Sequence, residues 1–378
     1  AAWAFLLGLV AGEGHAQQVP AQWCQLDDPA AWRLAREVLI AEGERNLDNI
    51  PCPQKLTGAS LPEQLTLPLP CGRAFVFRRV DVPASHALDQ IEGSFGRSVN
   101  IADETPQTVL SNGPWVQPVS GAFSVGPGGG PATSDALETL EARAYYMGKY
   151  ELLDWHWTLY EMGLLDLPFA ETEDPFSVSC APYQALLAQA DLRRIRPKGW
   201  MTWFDAVAFS RAYSNWLIKL DQARTAAGHR PVLPWEQGAT GYLRMPTEAE
   251  WEYAARGGAG QVSPQSRSIR MPMVVTSETG EAVQGALQNV CAEPPRDPEF
   301  KLSAVGQTQA NTQGLYDVVC NAEELVLDLF RITRPDGLGG QAGGIITKGG
   351  NSILLREQNT VGRRTEAQAL FNTRGEAT

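Results

Sequence analysis

One short stretch of this sequence carries both the start and the stop signal of a helix, and it constrains the fold more than any other feature. In RMPTEAEWEYAARGG (residues 244–258), Thr247 can cap the helix, and Glu250, three residues later, can bond back to the cap. Gly257 supplies the left-handed residue with which helices commonly end. The stretch therefore predicts a short helix between Thr247 and Gly257.

A second capping box precedes a longer helical pattern. In MTWFDAVAFSRAYSNWLIKL, Thr202 can cap a helix whose third position is Asp205. The spacing of apolar residues predicts a stripe that packs against the core. The predicted stripe consists of Phe204, Val207, Ala208, Leu217 and Leu220.

Two further elements can be placed from local pattern. Asp154 is a good N-cap, and the sequence after it predicts a short helix that buries Trp155, Leu159 and Met162. The run AFVFRRVDV (residues 74–82) is rich in β-branched and aromatic residues and predicts a strand. We expect the main domain to begin near Cys71 and to cover residues 71–378, after an amino-terminal extension over residues 18–70.

Composition narrows the class of protein. The 36 Gly and 26 Pro predict short elements and much loop, and 43% hydrophobic residues with 20% charged residues are typical of a folded globular chain. Acidic residues outnumber basic ones, 43 to 31, for a net charge of −12. This balance argues against a nucleic-acid partner, because binding to the phosphate backbone needs positive charge.

The amino-terminal residues have the character of a secretory signal. An apolar run over residues 1–11 is followed by Gly14 and Ala16, which suit a signal-peptidase site, so residues 1–17 are expected to be a partial signal peptide. The run is shorter than the ~20 residues of a membrane helix, and no stable membrane span is expected. The predicted location is the periplasm or the extracellular space. There, the six cysteines (24, 52, 71, 180, 291 and 320) are expected to form structural disulfides.

Several apparent constellations have ordinary structural explanations. The glutamates 248, 250 and 252 are explained by helix capping, the helix dipole and solvent exposure. His156 is expected to be a packed or surface residue, and Trp203 and Trp251 are expected to be packing residues. The sequence contains no GxSxG elbow, HExxH motif or Walker loop.

Five motifs follow one another in a specific order. They are YYMGKYELLDWHW (145–157), GWMTWFDAVAFSRAYSNWL (199–217), YLRMPTEAEWEYAARGG (242–258), GLYDVVCNAEELVLD (314–328) and KGGNS (348–352). Their order resembles that of the formylglycine-generating enzyme, or sulfatase-modifying factor, family. The resemblance extends from about residue 145 to 364. It implies an α+β, C-type-lectin-like, loop-rich domain with short twisted strands. The carboxyl-terminal strand usual in the family is not recognisable before Thr378, so the domain is expected to be truncated there.

This chain departs from the copper-dependent oxidases of that family. The two positions that match their copper cysteines are Leu354 and Asn359, which cannot supply the soft thiolates that Cu(I) needs. Glu323 and Asn351 replace two further pocket residues of the family, so these four positions mark a candidate groove. Copper-dependent formylglycine formation is therefore not expected. Iron stays open, although the four histidines of the chain support a histidine-rich centre poorly.

The family also binds structural calcium, and the resemblance implies two sites here. Calcium prefers carboxylates mixed with backbone carbonyls. The first site would use the side chains of Asp317 and Glu324 with the carbonyls of Cys320 and Ala322. The second would use the side chains of Asn289 and Asp297 with the carbonyls of Val290 and Glu299. Cys320 stands where a glycine is usual and is expected to pair with Cys291.

These features lead to one hypothesis and its alternatives. The leading one is a secreted or periplasmic, calcium-stabilised binding or accessory module whose ligand is a protein, a peptide or a small molecule. The alternative is a metal-dependent oxidase or oxygenase of the pyoverdine-maturation type in the periplasm. A regulatory or cell-envelope sensor domain is a third possibility.

Overall fold

A computed structural model describes the parts of the chain that form regular structure and the loops around them. The described residues are 61–70, 73–83, 91–96, 115–126, 141–166, 196–226, 228, 231–236, 239–258, 302, 305–306, 310–334, 337–340, 343–351 and 361–367. The predicted signal peptide and residues 18–60 of the predicted extension lie outside them.

The elements are short, with one long helix. The strands are β1 (Gln64–Leu69), β2 (Arg73–Pro83), β3 (Ile91–Phe95), β4 (Trp115–Val119), β5 (Phe123–Val125), β6 (Ala142–Gly148), β7 (Trp235–Glu236), β8 (Ala239–Thr240), β9 (Glu324–Leu329), β10 (Ile332–Arg334), β11 (Gly337–Gly339), β12 (Ile345–Lys348) and β13 (Thr365–Ala367). The helices are α1 (Asp154–Glu161), α2 (Trp203–Ala226) and α3 (Glu248–Ala255), and a 3-10 turn covers Leu164–Asp166. Mixed helices and short antiparallel strands confirm the predicted α+β class.

The first sheet has four antiparallel strands in the order β1, β2, β6, β5. Its long strand β2 contains the whole of the strand predicted at residues 74–82. Strand β1 pairs with β2 along its full length, although the sequence assigned it to the amino-terminal extension. Leu65, Leu67 and Leu69 alternate with less buried neighbours in β1 and enter the core, so this part of the expected extension packs with the domain.

A second sheet brings two of the sequence motifs together. Its strands run antiparallel in the order β13, β12, β9. In its register, Lys348 at the end of β12 lies opposite Glu324 at the start of β9. Residues 348–351, called the KGGN segment below, therefore lie beside the loop that precedes β9. Two-stranded ribbons pair β3 with β4, β7 with β8, and β10 with β11.

Helix α3 has the caps that the sequence predicts. The Glu250 amide donates to Thr247 Oγ1 at 3.2 Å, and the Thr247 amide donates to the Glu250 carboxylate at 2.8 Å. Gly257 follows the helix with a φ of 92°. Trp251 is fully buried, which confirms its predicted role in packing.

The predicted cap of α2 is confirmed, whereas its predicted buried stripe is partly wrong. The Asp205 amide donates to Thr202 Oγ1 at 3.1 Å, and the Thr202 amide donates to Asp205 at 2.8 Å. Phe204 is 51% exposed. The buried face begins two residues later, because the helix meets β1 and α1 through a stripe shifted around its axis. Its apolar members are Ala206, Phe209, Tyr213, Trp216, Leu217 and Leu220.

Helix α1 begins at Asp154, so the predicted N-cap is wrong by one residue, and Leu153 occupies that position. The Leu153 amide donates to His156 Nδ1 at 3.2 Å, and Nε2 of that ring donates to the Ala74 carbonyl at 3.1 Å. Both ring nitrogens are therefore engaged, and the side chain is 2% exposed. His156 is a packed residue, as predicted.

Two apolar clusters form most of the described core. One surrounds α3 and the second sheet, with Trp115 and Trp251 among its fully buried members. The other joins β1, α1 and α2. No helix in the described ranges is both long enough and apolar enough to cross a membrane.

Candidate functional site

A cavity of about 560 Å³ lies beside the first sheet, between helix α2 and the loops that precede α2 and β9. Its wall is mostly apolar and aromatic, and several charged side chains interrupt it. The apolar and aromatic part includes Phe75, Phe77, Tyr146, Met147, Trp200, Met201, Phe209, Tyr242 and Met245. The charged part, within the described residues, consists of Glu151, Lys198, Arg244, Glu250, Glu323 and Glu324.

Two of the four predicted groove residues line this cavity, and they are hydrogen-bonded to each other. Asn351 Nδ2 donates to Glu323 Oε1 at 2.9 Å. The Thr347 hydroxyl donates to Glu323 Oε2 at 2.7 Å. Both carboxylate oxygens therefore accept from neutral donors, which orient the group without cancelling its charge. The other two predicted groove residues, Leu354 and Asn359, lie outside the described residues.

The loop before β9 is shaped by left-handed backbone. Asp317, Cys320 and Asn321 have φ values of 53°, 76° and 52°, which are uncommon outside glycine. The loop packs against the KGGN segment, since the Cys320 amide donates to the Gly349 carbonyl at 2.9 Å. A Cβ on Gly349 would lie 2.9 Å from the Val318 carbonyl oxygen, so glycine is needed for this close contact.

Asp317 and Glu324, the predicted calcium-binding side chains, flank this loop and are hydrogen-bonded to protein. Asp317 is 1% exposed and accepts the Gly306 amide. Glu324 accepts the indole N–H of Trp251 at 2.9 Å. Burial, assisted by the nearby Asp317 charge and opposed by the Trp251 hydrogen bond, raises the pKa of Glu324 from its usual 4.5 to about 7.

Glu151 is a site residue that the sequence analysis missed. Its Oε1 accepts from Asn321 Nδ2 at 3.1 Å, whereas its Oε2 is buried and has no hydrogen-bond partner in the described part of the chain. Burial raises the pKa of Glu151 well above its usual value, and the charges of Asp317 and Glu324 raise it as well. It follows β6 within a motif that the sequence showed only as a family signature.

The donor chemistry around Asp317 and Glu324 suits a hard cation. Nearby buried carboxylates repel one another, and a calcium ion would remove that repulsion. The described residues nevertheless contain no group of three or more His, Cys, Asp or Glu side chains placed to hold a metal. A calcium ion would therefore depend on backbone carbonyls, for which Cys320 and Ala322 are the candidates. The second predicted site, Asn289, Val290, Asp297 and Glu299, lies outside the described residues.

A buried ionic network fixes the KGGN segment to α3, and it corrects one expectation. Glu248 and Glu252 are 1% and 0% exposed, so the predicted solvent exposure of these glutamates is wrong. Lys348 Nζ lies 2.8 Å from Glu252 and 3.4 Å from Glu248. Arg256 pairs with Glu252, and Arg364 pairs with Glu248. Basic residues from β12 and from the segment before β13 compensate these charges. The positions of the glutamates within α3 do not predict this compensation, because the basic residues lie far away in the sequence.

Another charged pair in the cavity wall is internally balanced. Arg244 Nη1 and Nη2 each lie 2.7 Å from an oxygen of Glu250. Glu250 also caps α3 through Thr247, so this glutamate serves the helix. Its exposure is limited, whereas Arg244 is more open to solvent.

Cys320 is fully buried and disulfide-bonded, and its partner lies outside the described residues. The pairing with Cys291 therefore stays a prediction.

Comparison with known proteins gives one family match over most of the chain. The family model of the Sulfatase-modifying factor enzyme 1-like domain matches residues 119–374. The chaperone protein LppX of Paenibacillus barcinonensis is 25% identical over 221 residues, which cover 54% of this chain and 76% of that protein.

Similar solved structures include Treponema denticola variable protein 1 and PvdO from Pseudomonas aeruginosa. The first has a TM-score of 0.45 and 16% identity, covering 84% of this chain and 98% of that one. The second has a TM-score of 0.41 and 14% identity, covering 79% of this chain and 90% of that one.

Proposed function

The chain belongs to the sulfatase-modifying factor enzyme 1-like family, and we propose that it is a secreted or periplasmic, calcium-stabilised member that acts as a binding or accessory module. The cavity is the place where a ligand binds, and calcium stabilises the loop beside it.

The cavity is the observation that carries the binding role. Its volume of about 560 Å³ falls within the range of small-molecule sites, roughly 300–1,000 Å³. A mostly apolar wall with a few polar groups is typical of such sites, because the apolar part contributes affinity and the polar groups orient the ligand. Glu323 and Asn351 supply an oriented polar pair in this wall.

The sequence argues against copper chemistry of the family's oxidase type. Leu354 has no donor atom and Asn359 offers only hard donors at the positions that match the copper cysteines. A binding or accessory role needs no replacement for these ligands. Copper-dependent oxidation of a cysteine peptide by the purified protein would contradict the proposal.

Calcium would stabilise the loop that shapes one side of the cavity. Asp317 and Glu324 would bind it through their carboxylates, and Cys320 and Ala322 through their carbonyls. The buried position of Asp317 and the like charge beside Glu324 support this assignment. Calcium would supply positive charge and fix the loop against β9, which starts at Glu324.

The ligand class is open to protein, peptide and small molecule. The relative LppX is called a chaperone protein, so a segment of another protein is one occupant that a binding test has to include. The cavity volume favours a small molecule or one short segment inserted into it.

Filling the cavity provides the test. Ser210 lines it from α2, so Ser210→Trp should occlude it, whereas Ala208→Trp adds the same side chain at an exposed position of that helix. Ligand-observed NMR first identifies the fragments and short peptides that bind the wild type. We expect these ligands to bind Ala208→Trp as well and not to bind Ser210→Trp. If the wild type binds nothing, or if Ser210→Trp binds as well as the wild type, the binding role is wrong.

A further inference from the structure

We propose that the cavity selects a ligand with an apolar body and one cationic head group, an alkylammonium or a guanidinium, which the carboxylates of Glu151 and Glu323 bind. This inference rests on the proposed binding function and narrows its ligand class.

Glu151 supplies the first observation. The residue lines the cavity and is only 8% exposed, yet its Oε2 has no hydrogen-bond partner in the described part of the chain. A buried carboxylate oxygen without a donor is costly, and such groups in native proteins usually find a partner. A positively charged donor from a ligand would satisfy this oxygen and would favour the charged form of the carboxyl group, which burial disfavours.

Glu323 supplies the second observation, from a different part of the chain. Its carboxylate is held by the Thr347 hydroxyl and the Asn351 amide, and both donors are neutral. In the described ranges, no Lys, Arg or His side chain forms an ion pair with it. Its position is therefore fixed before a ligand binds, which lowers the cost of binding a cation there.

The remaining charged groups of the wall do not cancel these carboxylates. The Arg244 guanidinium is bonded twice to Glu250 at 2.7 Å, so this pair is balanced. The Lys198 ammonium lies 5.4 Å from the centroid of the Trp157 ring. Glu324 also lines the wall, but the proposed calcium ion would balance its charge, so it does not contribute to this comparison. Carboxylates thus outnumber the basic groups of the described wall, which favours a positive ligand.

The apolar part of the wall determines the chemistry of the ligand outside its cationic head group. Phe75, Met147 and Trp200 contribute rings and a thioether to the same cavity. Such groups pack well against aromatic or aliphatic bodies and offer a cation no competing charge. A small hydrophilic ion would leave this surface without contacts, so the expected ligand combines both parts.

Three indole compounds of similar size separate charge from shape. Tryptamine carries an ammonium, tryptophol a neutral hydroxyl and indole-3-propionate a carboxylate. By isothermal titration calorimetry at neutral pH, we expect tryptamine to bind about tenfold more tightly than tryptophol, because a carboxylate attracts the charge of the ammonium whereas the hydroxyl of tryptophol is neutral. Indole-3-propionate should bind more weakly than both.

Substitutions at the two carboxylates locate the effect. Glu323→Gln keeps the size of the side chain and should reduce tryptamine affinity about tenfold while leaving tryptophol unchanged. Glu151→Gln should act in the same direction. Glu161→Gln removes the same charge at an exposed position on α1, outside the cavity wall, and should change neither affinity. Near-ultraviolet circular dichroism would verify that the variants are folded.

The inference is overturned if tryptophol binds as tightly as tryptamine, if none of the three compounds binds, or if Glu323→Gln and Glu151→Gln leave the preference intact. The proposed function can survive each of these results, because its own test relies on loss of any ligand from Ser210→Trp and does not depend on ligand charge.

Discussion

Lys348 and Glu252 form a fully buried ion pair, with 2.8 Å between the ammonium nitrogen and a carboxylate oxygen, although 96 residues separate them in the sequence. The pair joins the end of β12 to α3. Because the KGGN segment continues from Lys348, this contact fixes one wall of the candidate site to the core.

Removing the cation of this pair should destabilise the protein strongly. Lys348→Met leaves the buried carboxylates of Glu252 and Glu248 with less compensation, and breaking a buried pair costs about 3–5 kcal/mol. Urea unfolding measures the free energy of unfolding. Lys219→Met makes the same change at an exposed position of α2 and should change this free energy by less than about 0.5 kcal/mol. Equal stability of the two variants would contradict the structural role of the pair.

The same network should make the protein sensitive to acid. Burial by itself raises the pKa of Glu252, but Lys348 and Arg256 outweigh it, and the pKa is lowered from its usual 4.5. A lowered folded-state pKa contributes stability above 4.5 that is lost as the pH falls through the folded-state value. We expect the urea midpoint of the wild type to fall as the pH drops below about 4.5.

Glu252→Gln is the variant that isolates this effect. It should be less stable at neutral pH, and the gap to the wild type should narrow as the pH falls, because protonation also removes the wild-type charge. A gap that stays constant down to the onset of acid unfolding would show that Glu252 does not contribute to the pH dependence.

Calcium should bind the purified protein and raise its melting temperature. At a free concentration 100 times the dissociation constant, the gain in stability is about 2.7 kcal/mol. We expect elemental analysis to find one or two calcium ions per chain and neither copper nor iron in stoichiometric amount. Stoichiometric copper or iron would instead favour the oxidase or oxygenase alternative.

Substitutions assign the first calcium site. Asp317→Asn and Glu324→Gln should each weaken calcium binding by at least about ten- to a hundredfold, because loss of even an outer-shell partner of a metal ligand weakens binding on that scale. Asp166→Asn changes an exposed carboxylate in the 3-10 turn and should leave calcium binding unchanged. If calcium still raises the melting temperature of Asp317→Asn as much as that of the wild type, the ion binds elsewhere.

The disulfide at Cys320 should influence the same loop. If its partner is Cys291, peptide mapping without reduction will recover the two cysteines in one linked fragment. Full reduction, or Cys291→Ala, should then weaken calcium affinity, because the carbonyl of Cys320 loses its fixed position. An unchanged affinity after complete reduction would argue against this coupling.

Local sequence determined the helices of this protein well. The capping boxes at Thr202 and Thr247 and the stop at Gly257 depend on residues within one or two turns, so the sequence alone could place them. The strand at residues 74–82 followed from its β-branched and aromatic residues in the same way. The order of five motifs identified the family, and it pointed to Glu323 and Asn351 in the cavity wall.

Tertiary structure decided which faces and charges are buried. Phe204 lies on an apolar pattern but stays half exposed, because the position of α2 against β1 and α1 selected a different stripe. The exposure predicted for Glu248 and Glu252 failed for the same kind of reason, since Lys348 and Arg364 come from about 100 residues away. Glu151 lies buried beside the loop before β9, and its Oε2 has no hydrogen-bond partner among the described residues, an arrangement that its own local sequence does not encode. Propensity and capping act between neighbours in the chain, whereas burial and charge compensation act between elements that only the fold brings together.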